Sequence, residues 1–364
     1  MAPLYHGGTK LDLIVGKTIF DYADALKVRV PTSCGRSGEC HECIVEIRQG
    51  IKALNPPTAS ENFLRGDFRL ACQATVVNPS SDIDFTVLRR QPRILTQTIR
   101  RNVELDPTLF RREAAVFRGG ERVDDYRGNI LGLAIDIGTT TIAFNLVDLE
   151  NATIIYTGSF ENPQKFGGSY VMHRISYDAG PNHGELQKVI ISAINFEIGD
   201  MIRKLNRMKI HRRQIYEAVV VGNSTMRDIL FGLQVQSIGE KPYKSLLELE
   251  DERGNRNGTS ITVKAKEIGL RIFPMADVYG GPLIGCHVGS DIAADLLAIG
   301  MDQQNHDVML VDIGTNTEIV IGNRDRMLAA SCPAGPAFEG GEISYGMPGY
   351  QGAIESIALH GSNV

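Results

Sequence analysis

Apolar and polar residues alternate over residues 10–15, the pattern of a half-buried strand, and the run ends at the Gly16-Lys17 turn. Thr18 then stands where a helix N-cap belongs. Behind it, Ile19, Tyr22, Ala23 and Leu26 fall at the spacing of one helical face. Further strands are predicted over 44–47, 71–77 and 83–88. From 89 to 127 the periodicity fades. Ten arginines fall there among Pro92, Pro107, Gly119 and Gly120, and the stretch reads as a solvated, partly helical linker. Fully flexible, it would span roughly 30–35 Å, enough to swing the first segment between distant sites. Beyond it come strands over 131–137 and 152–160. Leu186, Val189, Ile190, Ala193, Ile194, Met201 and Leu205 then place an apolar stripe on a long helix. Val219-Val220-Val221 opens through Gly222-Asn223-Ser224-Thr225-Met226 into another helix. His287-Val288-Gly289-Ser290-Asp291 leads into the apolar helix 292–299, with Asp291 either in its first turn or facing a cleft.

One strand–turn–strand pattern occurs twice. Asp136-Ile137-Gly138-Thr139-Thr140-Thr141 follows a buried strand, and Asp312-Ile313-Gly314-Thr315-Asn316-Thr317 follows another, one compact lobe later. An aspartate at a strand end can hold Mg²⁺ through water. The glycine lets backbone approach closely, and the following N–H and hydroxyl groups can cradle phosphate oxygens. One such turn is weak, because many hairpins contain Asp-Gly. Two at lobe spacing can grip one nucleotide from both sides. Asn223 or Ser224 is either part of that site or a strand-end cap.

The cysteines carry a second chemistry. Cys34, Cys40 and Cys43 lie in one loop with Gly35 and Gly38, and Cys72 returns alone within Arg69-Leu70-Ala71-Cys72-Gln73. Three thiolates on a tight loop plus one distant thiolate is the ligand pattern of a [2Fe–2S] cluster, whereas structural zinc sites usually use two separated C-x2-C pairs. The flanking elements, helix then loop on a small mixed sheet, resemble the β-grasp fold of [2Fe–2S] ferredoxins. The first gap of five residues matches their adrenodoxin-like branch. Cys286 and Cys332, in Gly/Pro-rich surroundings, read as ordinary reduced thiols.

Composition removes some function classes. A net charge of −5 argues against nucleic acid as a main partner. No window approaches the ~18 continuous apolar residues of a membrane span, and no signal-peptide core is visible. With four cysteines in a candidate metal loop and no disulfide framework, a reducing cytoplasm is expected. The 364 residues suffice for two or three domains.

The doubled turn resembles the phosphate-1 and phosphate-2 motifs of the acetate and sugar kinase, Hsp70 and actin superfamily, whose lobes are α/β and RNase H-like. A ferredoxin head joined to that fold resembles the ATP-dependent reductive activators of corrinoid proteins. Glu161-Asn162-Pro163-Gln164, Met172-His173-Arg174-Ile175-Ser176-Tyr177, Pro333-Ala334-Gly335-Pro336-Ala337-Phe338-Glu339-Gly340 and Gly349-Tyr350-Gln351-Gly352-Ala353-Ile354-Glu355 look like the same family. Tyr170 departs from it, where an acidic residue is expected, and the linker is short.

The resemblance implies an α+β ferredoxin domain over 1–90, a linker over 91–128, a first RNase H-like lobe over 129–300 and the start of a second over 301–364. After Asp307 there is room for about three strands and one helical turn. The second lobe therefore reads as truncated just past a strand over 353–359, without an adenosine-binding turn. ATPase activity of this chain is left open, and nucleotide binding at least tenfold weaker than in a complete relative is expected. The resemblance also implies the cofactors: a [2Fe–2S] cluster on Cys34, Cys40, Cys43 and Cys72, with ATP and Mg²⁺. Asp136 and Asp312 are the implied catalytic carboxylates, and Gly138, Thr139, Thr140, Gly314, Thr315 and Thr317 the implied phosphate-binding residues. Its implied partners are the corrinoid protein of a methyltransferase system and a low-potential electron donor, with a homodimer also open. The implied function is ATP-coupled reduction of Co(II) corrinoid protein to Co(I). The alternative is a ferredoxin-type electron carrier without ATPase activity.

Overall fold

Strands and helices follow the burial pattern along a computed structural model that describes residues 2–88 and 107–332. The segments 333–340 and 349–355, and the strand expected over 353–359, lie outside the described residues. The structure falls into two compact units, Met1–Ala293 and Ala294–Val364.

The first unit opens with β1 (Pro3–His6), β2 (Thr9–Asp12), α1 (Ile19–Ala25), β3 (Ile44–Gln49), β4 (Phe68–Leu70) and β5 (Ile83–Val87). These strands form one mixed sheet in the order β2-β1-β5-β3-β4, with β1 and β5 parallel. Thr18 caps α1 through a reciprocal box: its hydroxyl accepts from the Asp21 N–H, and the Asp21 carboxylate accepts from the Thr18 N–H. Ile19, Phe20, Tyr22 and Ala23 are buried against the sheet. Residues 71–77 are not the strand expected. The Gln73 and Ala74 N–H groups both donate back to the Leu70 carbonyl, so the chain reverses just past β4. Only single bridges follow, Thr75 to Thr18 and Val76 to Leu54. The turn carries Cys72 to the cluster loop.

The expected linker is also different. Its first part, 89–106, lies outside the described residues. Its second part is a meander of β6 (Leu109–Arg112), β7 (Ala115–Arg118) and β8 (Glu121–Asp125), with no helix. Leu109 and Val116 are buried with Ile130 and Tyr216, and Val123 packs beside them. Arginines stand close to these apolar positions along each strand. Arg118 donates to the Tyr216 carbonyl at 2.9 Å and pairs with Asp277 at 2.6 Å, while the Tyr216 hydroxyl donates to Asp124 at 3.0 Å. These contacts make the stretch part of the folded unit.

The lobe itself is a six-stranded sheet in the order β11-β10-β9-β12-β14-β13. Its strands are β9 (Leu131–Ile137), β10 (Thr141–Asp148), β11 (Thr153–Glu161), β12 (Ile215–Gly222), β13 (Ile261–Lys264) and β14 (Asp277–Gly280). β9, β10 and β11 are antiparallel, and β12 and β14 run parallel to β9. Helices α2 (Val171–Asp178), α3 (Glu185–Lys204), α4 (Ser224–Leu230), α5 (Gln236–Gly239) and α6 (Leu246–Glu252) complete it. The predicted stripe on α3 is buried through Leu186, Val189, Ile190, Ile194 and Met201. Helix α7 (Ser290–Ile299) crosses from the first unit into the second. The second unit continues as the antiparallel sheet β15 (Val308–Ile313), β16 (Thr317–Gly322) and β17 (Met327–Cys332).

The ferredoxin-like segment and the lobe share one apolar core, so among the described residues the head is seated rather than free. The Tyr177 hydroxyl donates to the Phe63 carbonyl at 2.5 Å. His41 Nδ1 lies 2.7 Å from Glu185, and Lys188 donates to the Glu39 carbonyl at 3.3 Å. Phe63 stacks on His41 at 4.0 Å and meets the Phe166 ring edge-on at 5.6 Å.

Candidate functional site

The cluster loop runs from the end of α1 to β3. Arg36 and His41 have positive φ angles of 74° and 57°, a conformation that L residues adopt at a cost when surroundings hold it in place. The Arg36 guanidinium lies 4.0 Å above the Phe20 ring and pairs with Asp24, pinning the loop to α1. Gly38 at φ 89° brings backbone against the Gln73 side chain, where a Cβ would sit 3.0 Å from its amide.

The four sulfurs gather as two pairs. Cys43 and Cys72 lie 3.4 Å apart across the ends of β3 and β4, and the Gln73 amide approaches Cys72 at 3.4 Å. Sharing a hydrogen bond with Cys43 brings Cys72 down to about 7, while that bond and burial push the Cys43 thiol up. Burial opposes ionisation of Cys34, yet hydrogen bonds from Ser37, Cys40 and the Gly38 N–H bring it down to about 5. A thiol so placed is readily a thiolate, the metal-binding form. Two Cys pairs suit two irons better than one tetrahedral zinc, so the donor set fits a [2Fe–2S] cluster.

The first Asp-x-Gly-Thr turn, the candidate phosphate site, joins β9 to β10, with Ile137 paired to Ile142 across it. It lies beside the end of β12, because Gly222 is in register with Ile137. Ends of parallel strands are where ligands bind such sheets. Gly138 permits the tight reversal: a Cβ there would lie 2.4 Å from the Thr141 carbonyl. Asp136 and Thr140 face solvent and Thr139 is buried. The turn is braced by side chains to which the sequence assigned no role there, or only an open one. Asn162 donates to the Gly138 carbonyl at 2.9 Å, and Arg174 donates to the Thr139 carbonyl at 2.8 Å. Asn223 donates to the Thr139 hydroxyl at 3.1 Å and accepts from the Met226 N–H at 3.0 Å. Asn223 is thus both the cap of α4 and a contact of the turn. The Glu161-Asn162-Pro163-Gln164 and Met172-His173-Arg174 segments stood out in the sequence, but their convergence is tertiary. Tyr170 precedes α2 and makes no side-chain capping hydrogen bond.

The second turn, described within its own unit, joins β15 to β16. The Gly314 N–H donates to the Asn316 carbonyl at 3.0 Å, and Thr315 is buried. Burial raises the Asp312 carboxyl above its usual range. Asp295 on α7 is pushed up to about 6 by burial and by Asp312, and burial also raises Glu318, whose carboxylate accepts from Ser331 at 2.8 Å. Asp295 and Glu318 are neighbours of Asp312 that the sequence reading did not single out. Asp291 sits in the first turn of α7, the first of its two expected placements.

Comparison with known proteins places this geometry in a family. Residues 7–77 match the 2Fe-2S iron-sulfur cluster binding domain, 131–304 the RACo middle region, and 306–364 the C-terminal domain of RACo, the ASKHA domain. The corrinoid activation enzyme RamQ of Eubacterium limosum is 26% identical over 402 residues, covering 98% of this chain and 64% of RamQ. The [Co(II) methylated amine-specific corrinoid protein] reductase of Methanosarcina barkeri is 27% identical over 244 residues, covering 63% of this chain and 41% of that protein. The chain therefore spans less than two thirds of the length of these curated relatives. A solved reductive activator for corrinoid, iron-sulfur protein shares the fold at a TM-score of 0.59 and 24% identity, covering 99% of this chain and 67% of its own. With a ferredoxin head, a middle region and an ASKHA segment in that order, the chain belongs to the reductive activators of corrinoid proteins.

Proposed function

We propose that this chain delivers single electrons to a corrinoid protein, returning Co(II) to the Co(I) state needed for methyl transfer, and couples that delivery to ATP. The observation that carries the reading is the two-pair thiol site in a head seated on a lobe that bears a phosphate turn. Cys34 and Cys40 would hold one iron of the cluster, and Cys43 and Cys72 the other. A bound [2Fe–2S] cluster supplies one-electron chemistry, accepting from a low-potential donor and passing the electron on.

Reduction of Co(II) is uphill for a ferredoxin-type donor, since each ~59 mV of one-electron mismatch costs a factor of ten. Nucleotide binding can offset the mismatch only by favouring one docked state over another. On the first turn, Asp136 would hold Mg²⁺, and the Gly138, Thr139 and Thr140 groups would receive phosphate oxygens. On the second, Asp312, Gly314, Thr315 and Thr317 offer the same set. Asn162, Arg174 and Asn223 hold the first turn in shape before any ligand arrives, which lowers the ordering cost of binding.

The test is reduction of Co(II) corrinoid protein by the chain with a chemical reductant, with and without Mg-ATP. Asp136→Ala is expected to abolish the ATP dependence and leave the visible spectrum of the cluster unchanged. Reduction that stays ATP-dependent in this variant would show that the first turn is not the nucleotide site. Reduction by wild type that is indifferent to ATP would favour a simple electron carrier. Gly138→Ala is expected to weaken Mg-ATP binding at least tenfold by calorimetry, because its methyl group collides with the Thr141 carbonyl.

A further inference from the structure

Helix α2 touches both halves of the first unit. Arg174, 2% exposed, donates from Nη2 to the Thr139 carbonyl at 2.8 Å and from Nε to the Gly168 carbonyl at 3.0 Å. Tyr177, one turn further along and fully buried, donates its hydroxyl to the Phe63 carbonyl of the head at 2.5 Å. The Tyr177 ring meets Phe166 edge-on at 5.6 Å, Phe166 meets Phe63 in the same way, and Phe63 stacks on His41. His41 lies between Cys40 and Cys43. A continuous path of packed and hydrogen-bonded groups thus runs from the phosphate turn, through one rigid helical turn, to the cluster loop.

We propose that α2 links the phosphate-1 turn mechanically to the seat of the ferredoxin head, with Arg174 and Tyr177 as positioning residues. The proposal rests on the nucleotide reading of that turn. A shift of the Thr139 carbonyl on filling of the turn moves the Arg174 guanidinium, whose Nη2 donates to it. The helix carries the shift to Tyr177, whose buried hydroxyl has the Phe63 carbonyl as its partner. Losing that bond without replacement is costly, so the seat has two states, latched and released. Coupling of this kind is reciprocal: whatever loosens the seat must also change the turn. In the latched state the His41 side of the cluster loop faces the lobe. Release exposes it to a partner that accepts the electron.

Hydrogen exchange on the full chain, without nucleotide, tests the link. Tyr177→Phe removes one hydroxyl and keeps the ring packing. It is expected to raise exchange over residues 59–66 about five- to tenfold and to change exchange at least threefold over 137–141, at the other end of the path. Arg174→Lys keeps the charge, loses the fork and is expected to act in reverse, raising exchange over 59–66 from the turn side. The β13 and β14 hairpin serves as the reference and should not change. An effect over 59–66 that leaves 137–141 unchanged overturns the proposal, as does a uniform rise that includes the hairpin. If Arg174→Lys fails to fold, Tyr177→Phe decides alone. A separate arm adds Mg-ATP to wild type. Protection over 137–141 with altered exchange over 59–66 supports the link, and protection without that alteration overturns it. No protection over 137–141 overturns the nucleotide reading instead, while the nucleotide-free comparison still decides the mechanical link.

Discussion

Cys72→Ser is expected to strip the chain of its iron. Purified without oxygen, wild type should carry about two irons and two sulfides, with a rhombic EPR signal on reduction. The serine variant should lose the visible absorption and most of the iron. Cys72 is buried, 3.4 Å from Cys43, and comes from the turn after β4 rather than from the loop that holds the other three. Its removal leaves one pair with a single thiolate, and a hydroxyl is a poor substitute for a soft donor. Cys286→Ser is the control, since Cys286 is exposed and remote in sequence from that loop. Equal iron in both variants would dismiss Cys72 as a ligand, and zinc in wild type in place of iron would dismiss the cluster.

Glu61→Gln is expected to destabilise the ferredoxin head by about 3–5 kcal/mol, the cost of leaving a buried charge without its partner. Glu61 and Arg69 are 2% and 1% exposed and meet through two hydrogen bonds of 2.8 and 3.1 Å. The same carboxylate accepts from the Thr58 and Leu70 N–H groups at 2.8 and 2.9 Å, so it also fixes the backbone before Cys72. Burial works to raise its pKa, but these hydrogen bonds prevail and hold it below the ordinary 4.5. Its stabilising contribution is therefore full above that value and fades as acid takes the pH down through the lowered one. Chemical denaturation followed through the cluster absorbance measures the loss. A cost under about 1 kcal/mol would show that the pair is not the keystone of this segment. Replacing both residues by apolar ones of similar volume is expected to recover much of the loss, because neither charge then remains buried alone.

Local chemistry was legible in the order of residues. Thr18 and Asp21 form their capping box from neighbours in the chain, so the start of α1 needs no distant contact to be foreseen. The cysteine spacing and the repeated Asp-x-Gly-Thr turn were visible because both sites draw most of their groups from one short segment. The same holds for the stripe along α3, since helical periodicity is a property of sequence. The 109–125 segment was misread for a related reason. Its strands are only four or five residues long and each carries arginine, so the period-2 signal is too short to rise above the charge.

What lay beyond the sequence depends on groups distant along the chain. Residues 71–77 are apolar enough for a strand, but both amides that follow Cys72 turn back to Leu70, which no propensity reveals. Asn162, Arg174 and Asn223 meet at the first turn only because β9 and β12 end in register and α2 brings Arg174 to the Thr139 carbonyl. The seating of the head depends on Tyr177, which ends a family-like segment, and on Glu185 and Phe63, which the sequence did not mark; they become partners only when the sheets pack. Sequence by itself determined the candidate groups for iron and phosphate, because most of each set lie close together along the chain. The tertiary structure alone decided how the cysteines pair and which side chains brace the phosphate turn. It also decided that the head rests on the lobe, because each of these is settled by burial and hydrogen bonding between segments that the chain order keeps apart.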